Sequence, residues 1–387
     1  MKIKLQAVCL TAVLALFLSG AGCGDESKAG PGTGTVTYNK FGIQEAHYSI
    51  WNAGDVYECG TVEQGKAMFA SLDDLHVKNF RYTIFWYFVE RNADGQYDWG
   101  PHDQLIAELS SKGLDISIMI EGVNSSYCDP GPETPAIVSD AEYHAAWINF
   151  IEAVVTRYGD KVKRWEIGNE EDSDQYWKPA ADPAAYSAFL ISTSQKIRSI
   201  QPDAFIIMGG VTLFPSDEDG YYGSREFLAA CFDEGVLDHV DAVGIHPYRS
   251  IPEFVFDWGF YPPEPVETTF EGEINSLKTM IAGYKEGIEL WNTESGFVNF
   301  DYADIDNQNK KLYSQVKLIS RFMLVDYAAG LKGLTYFRLR VNHAFPGTVQ
   351  PMFQGLIEED TAYRRPAFTA MKSINDIIGK SDVVYVK

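Results

Sequence analysis

The chain has 387 residues, 45% hydrophobic and 14% aromatic, which is enough apolar material for a large core. A formal net charge of −22 excludes the basic face that a nucleic-acid backbone requires, so no nucleic-acid partner is expected. Length alone suggests two or more domains, but α/β barrels of this size routinely fold as one.

The N-terminus reads as an address. Lys2 and Lys4 precede an apolar run from Ala7 to Leu18, followed by Ser19, Gly20, Ala21, Gly22 and Cys23. That pattern is a secretory signal over residues 1–22. Small residues directly before Cys23 resemble a bacterial lipoprotein cleavage box with Cys23 as the lipidated first residue, although Gly20 stands where that pattern prefers Leu. The expected location is therefore a secreted protein or a cell-surface or periplasmic lipoprotein of a bacterium, touching the membrane only through a lipid anchor. Residues 23–37, rich in Gly, Ser, Pro and charge, read as a flexible tether, and a single domain is expected over 38–387. Beyond the leader no stretch is long and apolar enough to span a membrane. With Cys9 removed and Cys23 lipidated, three cysteines remain: either Cys59 and Cys128 pair, or all three are thiols with Cys231 buried in a helix. Their spacing fits no metal motif, and no cofactor is expected.

From Tyr38 onward, strand and helix patterns alternate. Gly42 to Ile50 is a weak first strand, and Glu63 to Leu75 has helical spacing of Met68, Phe69, Leu72 and Leu75. A strand over Asn79 to Phe85 precedes a helix over Asp103 to Ser111, ended by Gly113. Leu114 to Ile120 is an aliphatic strand, and Ala141 to Tyr158 a long helix capped by Asp140. Val162 to Ile167 is the fourth strand, followed by a helix over Pro183 to Ile200. Then come strand Ala204 to Met208, helix Glu226 to Asp233, strand Val240 to Ile245, and helix Phe270 to Tyr284. Strand Glu289 to Trp291, helix Asn309 to Ala329, strand Gly333 to Phe337 and helix Pro366 to Ile378 complete the chain. Eight strand-then-helix units imply a parallel sheet covered by helices, a (β/α)₈ TIM barrel in a single domain. No phosphate-binding glycine loop follows any strand.

In such a barrel the carboxyl ends of the strands build the active site. Two strands end in acids: Arg164-Trp165-Glu166-Ile167-Gly168-Asn169-Glu170-Glu171 and Ile288-Glu289-Leu290-Trp291-Asn292-Thr293-Glu294-Ser295-Gly296. Barrel closure would bring Glu170 and Glu294 together, and two facing carboxyls are what glycosidic hydrolysis requires. The same face is expected to hold Arg81, Trp86, Glu121, His246, Tyr248, Phe337 and Arg338.

These motifs resemble the clan A glycoside hydrolases, and the run from Tyr143 to Pro247 is similar to glycoside hydrolase family 39, the β-xylosidase and α-iduronidase group. The matching parts are Arg157-Tyr158-Gly159, Trp165 to Glu170, Trp177 and Gly209-Gly210. The resemblance implies a retaining mechanism with Glu170 as acid/base and Glu294 as nucleophile, with Asn169 on the sugar 2-hydroxyl and Tyr248 orienting Glu294. Arg81, Trp86, Glu121, Trp177, His246, Phe337 and Arg338 are the further substrate-site candidates. Trp86 and Trp177 are divided between packing and sugar stacking, and Arg81 between bridging acids beneath the site and touching Glu294. Arg338 is divided between an acidic sugar and a rim charge. Two positions depart from the clan pattern: Tyr336-Phe337 where Trp is usual, and Glu171 where Pro often follows Asn-Glu. The expected partner is a carbohydrate: a xylo-oligosaccharide first, a β-glucan or uronate-bearing glycan behind it. The alternatives are a non-catalytic glycan-binding lipoprotein on the same barrel and, less well supported, a metal-dependent barrel hydrolase.

Overall fold

The structure, a computed structural model, describes residues 41–44, 62–124, 126–127, 139–213, 222–248, 270–296, 331–339, 355–357 and 363–378, with part of 312–330. In chain order these form β1 (Phe41–Gln44), α1 (Val62–Leu75), β2 (Asn79–Phe85), α2 (Trp86–Val89), α3 (Gly100–Ser111), β3 (Asp115–Glu121) and α4 (Ala141–Tyr158). There follow β4 (Val162–Asn169), α5 (Pro183–Ile200), β5 (Phe205–Val211), α6 (Ser224–Asp233) and β6 (Ala242–Ile245). Then come α7 (Phe270–Tyr284), β7 (Glu289–Ser295), β8 (Leu334–Phe337) and α8 (Pro366–Ile378). The described residues between 312 and 327 are helical as well. Every strand pairs in parallel with its neighbour, and β1 pairs with both β2 and β8, closing the barrel.

The local signals act as the sequence implies. Asp140 caps α4 by accepting from the backbone amides of Glu142 and Tyr143 at 2.9 and 2.8 Å. Asp182 caps α5 through the Ala185 amide at 3.0 Å, with Pro183 in the first turn where no N–H is needed. The helices bury their apolar faces on the outside of the barrel, where Trp147, Phe150, Trp165, Tyr186, Phe189 and Phe227 are fully or almost fully buried.

The barrel interior is filled in layers. At the amino-terminal end Phe205, Ile207, Ala242 and Trp291 form a small apolar plug. The Trp291 ring passes so close to Gly333 that a Cβ there would lie 2.2 Å from it. Above the plug the filling turns polar, with Arg81, Met119 and Glu166 in contact. The mouth lies above that layer.

The structure also departs from expectation. β4, β5 and β7 run further toward the mouth than their aliphatic cores, reaching Asn169, Val211 and Ser295. Pairing continues there through glycine and polar residues, as between Asn169 and Gly210, which hydropathy does not mark. The short helix α2 is absent from the sequence reading because its Trp-Tyr-Phe-Val composition favours strands. The expected first strand is present at 41–44; the remainder of its range lies outside the described residues, as do Cys23, the leader and tether, Cys59 and Cys128. Cys231 is a buried free thiol in α6, pushed up to about 12 by burial. No helix among the described residues is long and apolar enough to cross a membrane.

Candidate active site

Arg81 organises the mouth. It lies on the inward row of β2 and is almost fully buried. Its Nε donates to Glu166 Oε2 at 2.6 Å and its Nη1 to Glu294 Oε2 at 2.8 Å. Its Nη2 reaches Glu166 Oε1 at 3.1 Å, Asn169 Oδ1 at 3.2 Å and Met119 Sδ at 2.8 Å. Both expected roles hold together: one fork of the guanidinium binds the acid below, the other the acid above. Burial alone would lower the Arg81 pKa, but Glu166 and Glu294 raise it, so the cation is permanent.

Glu294 reaches the mouth because β7 shifts register against β8 between Asn292 and Ser295. Such an irregularity re-aims a side chain that strict alternation would turn outward. Tyr248 donates to Glu294 Oε1 at 2.6 Å, so each carboxylate oxygen has its own donor. Burial pushes this carboxyl up, but His246, Arg81 and the hydrogen bonds from Tyr248 and Arg81 outweigh it and hold Glu294 below its ordinary value. At β8, Gly296 lets the two strand ends pass, since a Cβ there would lie 2.2 Å from the Phe337 carbonyl oxygen.

Glu170 faces it from the exit of β4. Its φ is +58°, rare for a side-chain-bearing residue, and it follows Gly168 at +88°. His246 Nδ1 lies 2.7 Å from Glu170 Oε1. A Cβ on Gly210 would lie 2.2 Å from His246 Nε2, so that glycine makes room for the imidazole. Burial pushes the Glu170 carboxyl above its ordinary value, the charge of Glu294 adds to this, and the hydrogen bond from His246 opposes without reversing it. One oxygen of Glu170, one oxygen of Glu294 and a ring nitrogen of His246 all lie within 4.8 Å of one another. That spacing would suit a small cation, but the Arg81 guanidinium already stands 2.8 Å from Glu294 and opposes a second positive charge.

Glu121 stands two residues beyond Met119, on the same inward row of β3. Burial raises its carboxyl to about 7, with Glu170 adding and Arg81 opposing. The mouth therefore gathers Arg81, Glu121, Asn169, Glu170, His246, Tyr248 and Glu294. The arrangement brings His246 to the acid Glu170 and buries it completely, so it supports a carboxyl rather than presenting a face to substrate.

Two expectations are overturned as sugar platforms. Trp86 has no exposed surface; it stacks on Tyr127, Tyr143 and Phe150 and donates to Glu90 at 2.6 Å. Trp177 is 1% exposed and edge-on to Tyr186 and Phe189. Both rings serve the helix layer because the chain after β2 and β4 turns back over it. Tyr87, beside Trp86, is 39% exposed and presents its ring at this end of β2. Phe337 and Arg338 do lie at the end of β8, both buried, with the guanidinium 5.5 Å over the phenyl ring and the peptide between them cis. Arg338 is thus not the solvated rim charge the sequence allowed. The sequence reading missed Glu166 and Glu171: both sit inside the Trp-Glu-Ile-Gly-Asn-Glu-Glu run, but nothing local says that Glu166 points into the barrel or that Glu171 folds back over Gly168.

The buried acids make stability depend on pH. Glu121, Glu170, Glu171 and Asp172 all have carboxyls raised by burial first. A raised acid favours the folded state below its unfolded pKa, about 4 to 4.5, and loses that contribution as pH rises through the folded value. Glu294 acts in the opposite sense under more acid conditions, and His102, lowered to about 4 by burial, offsets part of the trend below its ordinary value. The melting temperature is expected to be higher near pH 5 than near pH 8. Thermal unfolding followed by circular dichroism checks this; a flat or rising trend over that window refutes it.

No family model matches the sequence, and no curated protein matches it. The fold, in contrast, recurs in solved structures. A family 39 glycoside hydrolase from the gut symbiont Bacteroides cellulosilyticus WH2 superposes with a TM-score of 0.65 at 18% identity, over 89% of this chain and 65% of that one. This chain thus spans just under two thirds of that structure's length. A GH39 β-xylosidase from Caulobacter crescentus gives 0.59 at 19% identity, over 88% and 71% of the two chains. A β-glucosidase from Thermotoga maritima gives 0.58 at 17%, over 88% and 98%. The fold is a (β/α)₈ barrel, similar to the barrels of these family 39 and β-glucosidase structures.

Proposed function

We propose that this protein is a retaining glycoside hydrolase, with Glu170 as acid/base and Glu294 as nucleophile. The observation that carries the reading is the pair itself: two carboxyls with oxygens within 4.8 Å, pushed in opposite directions of acidity. Retaining enzymes hold their carboxyls about 5–5.5 Å apart, whereas inverting ones need about 6.5–9.5 Å to admit a water between acid and base. Opposed acidities are what acid and nucleophile roles demand of identical side chains.

The chemistry runs in two displacements. Glu294, ionised and held by Arg81 and Tyr248, attacks the anomeric carbon as protonated Glu170 gives its proton to the departing glycosidic oxygen. The C–O bond to the leaving group breaks and a glycosyl ester on Glu294 forms. Glu170, now a carboxylate beside His246, takes a proton from water; that water attacks the anomeric carbon and releases Glu294. Asn169, its Oδ1 fixed by Arg81, is placed to meet the sugar 2-hydroxyl, and Glu121 offers a further polar contact at β3. The substrate is an oligo- or polysaccharide, and the activity is xylosidase-like or glucanase-like. The barrel is delivered outside the cell, anchored through a lipid on Cys23.

The test is hydrolysis of a panel of aryl glycosides and plant polysaccharides, with the product anomer followed by proton NMR. One substrate is expected to turn over with retained configuration. Its kcat/KM should be bell-shaped in pH, rising as Glu294 ionises below the usual carboxylate range and falling as Glu170 deprotonates above it. An inverted product rejects the two-displacement mechanism, and glycan binding without cleavage across the panel rejects the enzyme.

A further inference from the structure

We propose that Glu171 is a positioning residue for proton transfer: its carboxyl, folded back over Gly168, locks the Asn169 peptide so that Glu170 is aimed into the mouth. The inference rests on the reading of Glu170 as acid/base. Between β4 and the following loop the chain passes through Gly168 at φ +88° and Glu170 at +58°. A side-chain-bearing residue at positive φ persists only when its surroundings hold it there. Three contacts do so. The Glu170 amide donates to the Gly210 carbonyl at 2.9 Å. Arg81 donates to Asn169 Oδ1 at 3.2 Å. The Asn169 amide donates to Glu171 Oε1 at 2.5 Å.

The third contact is built jointly by two residues. A Cβ on Gly168 would lie 1.9 Å from Glu171 Oε1 and 2.5 Å from its Cδ. The carboxyl therefore occupies the space that any side chain at 168 would take. Glu171 is 6% exposed and lies near Tyr186 and Cys231 of the helix layer, behind the strand end. Burial pushes its carboxyl well above the ordinary value, and the hydrogen bond from the Asn169 backbone N–H opposes this without reversing it.

The experiment uses aryl glycosides whose leaving groups span a range of acidity, with the wild-type protein, Glu171→Ala and Glu171→Gln. A misplaced acid harms only substrates that need protonation. For Glu171→Ala, kcat/KM is expected to fall about tenfold to a hundredfold on poor leaving groups, the scale of a displaced catalytic group, and less than about twofold on a dinitrophenyl glycoside. Glu171→Gln keeps an acceptor oxygen and should restore most of the loss. If Glu171→Ala does not fold, Glu171→Met, of similar volume without the acceptor, replaces it. A crystal structure of the variant supplies a readout independent of turnover, with the 2.7 Å contact between Glu170 and His246 expected to be lost. An equal loss on all leaving groups, or no loss, with that contact intact overturns the proposal. If wild type cleaves no glycoside, the glycosidase reading falls on its own, and the variant structure still decides whether Glu171 aims Glu170.

Discussion

Glu294→Gly leaves the protein folded and without turnover, a loss of about 10⁴-fold or more in kcat, because no other described group can attack the anomeric carbon from its place. The environment of Glu294 suits the nucleophile proposed for it: one oxygen is held by Arg81, the other by Tyr248. Both donors favour the carboxylate, and the carboxyl is held below its ordinary value. Glu170→Ala behaves differently. General acid catalysis contributes about 10²–10⁴-fold, and that loss shrinks when the leaving group needs no proton. Azide, which attacks without a general base, should restore turnover of an activated substrate by Glu170→Ala and yield a glycosyl azide of retained configuration. Steady-state kinetics with product analysis checks both variants. Azide rescue of Glu294→Gly to a retained product, or equal effects of the two variants on every leaving group, would exchange or remove the assigned roles.

Arg81→Met should produce the largest loss of stability among single substitutions in the mouth. Arg81 and Glu166 are each at most 1% exposed, and their two hydrogen bonds measure 2.6 and 3.1 Å. Removing one partner of a buried pair leaves the other charge without compensation, at a cost of about 3–5 kcal/mol. Denaturant unfolding of Arg81→Met against wild type measures this, and Glu166→Gln in the same background separates the stranded charge from lost packing: the double variant should recover part of the stability. The same substitution removes the cation beside Glu294, so the acid limb of the kcat/KM profile should move to higher pH. A loss below about 1 kcal/mol with an unmoved acid limb would mean that Arg81 neither holds the polar layer nor tunes the nucleophile.

Much of the candidate site was legible because two kinds of signal coincide at a strand end. Val162 to Ile167 and Glu289 to Trp291 announce buried strands by composition, and Asn169, Glu170 and Glu294 interrupt that apolarity where the strands reach the mouth. Aromatic residues were less legible. Trp86 and Tyr87 are adjacent and both large, yet one is completely buried and the other 39% exposed. Which ring turns inward depends on the short helix α2 and on the aromatic cluster of α4, and neither is encoded at positions 86 and 87. His246 shows the same limit: its residue type suggests a site, but only the barrel brings it against Glu170.

Taken by itself, the sequence determined the alternation of eight strands and helices, the apolar composition that a closed barrel can bury, and the two strand-end glutamates. These are local properties, since periods of two and 3.6 residues and a polar break in an apolar run are read within a few positions. The tertiary structure alone decided that Arg81 bridges Glu166 and Glu294, that β7 bends to aim Glu294, and that Glu171 folds over Gly168. It also decided which carboxyl is raised and which is lowered. Those outcomes depend on distances between strands far apart in the chain and on the burial their closure creates.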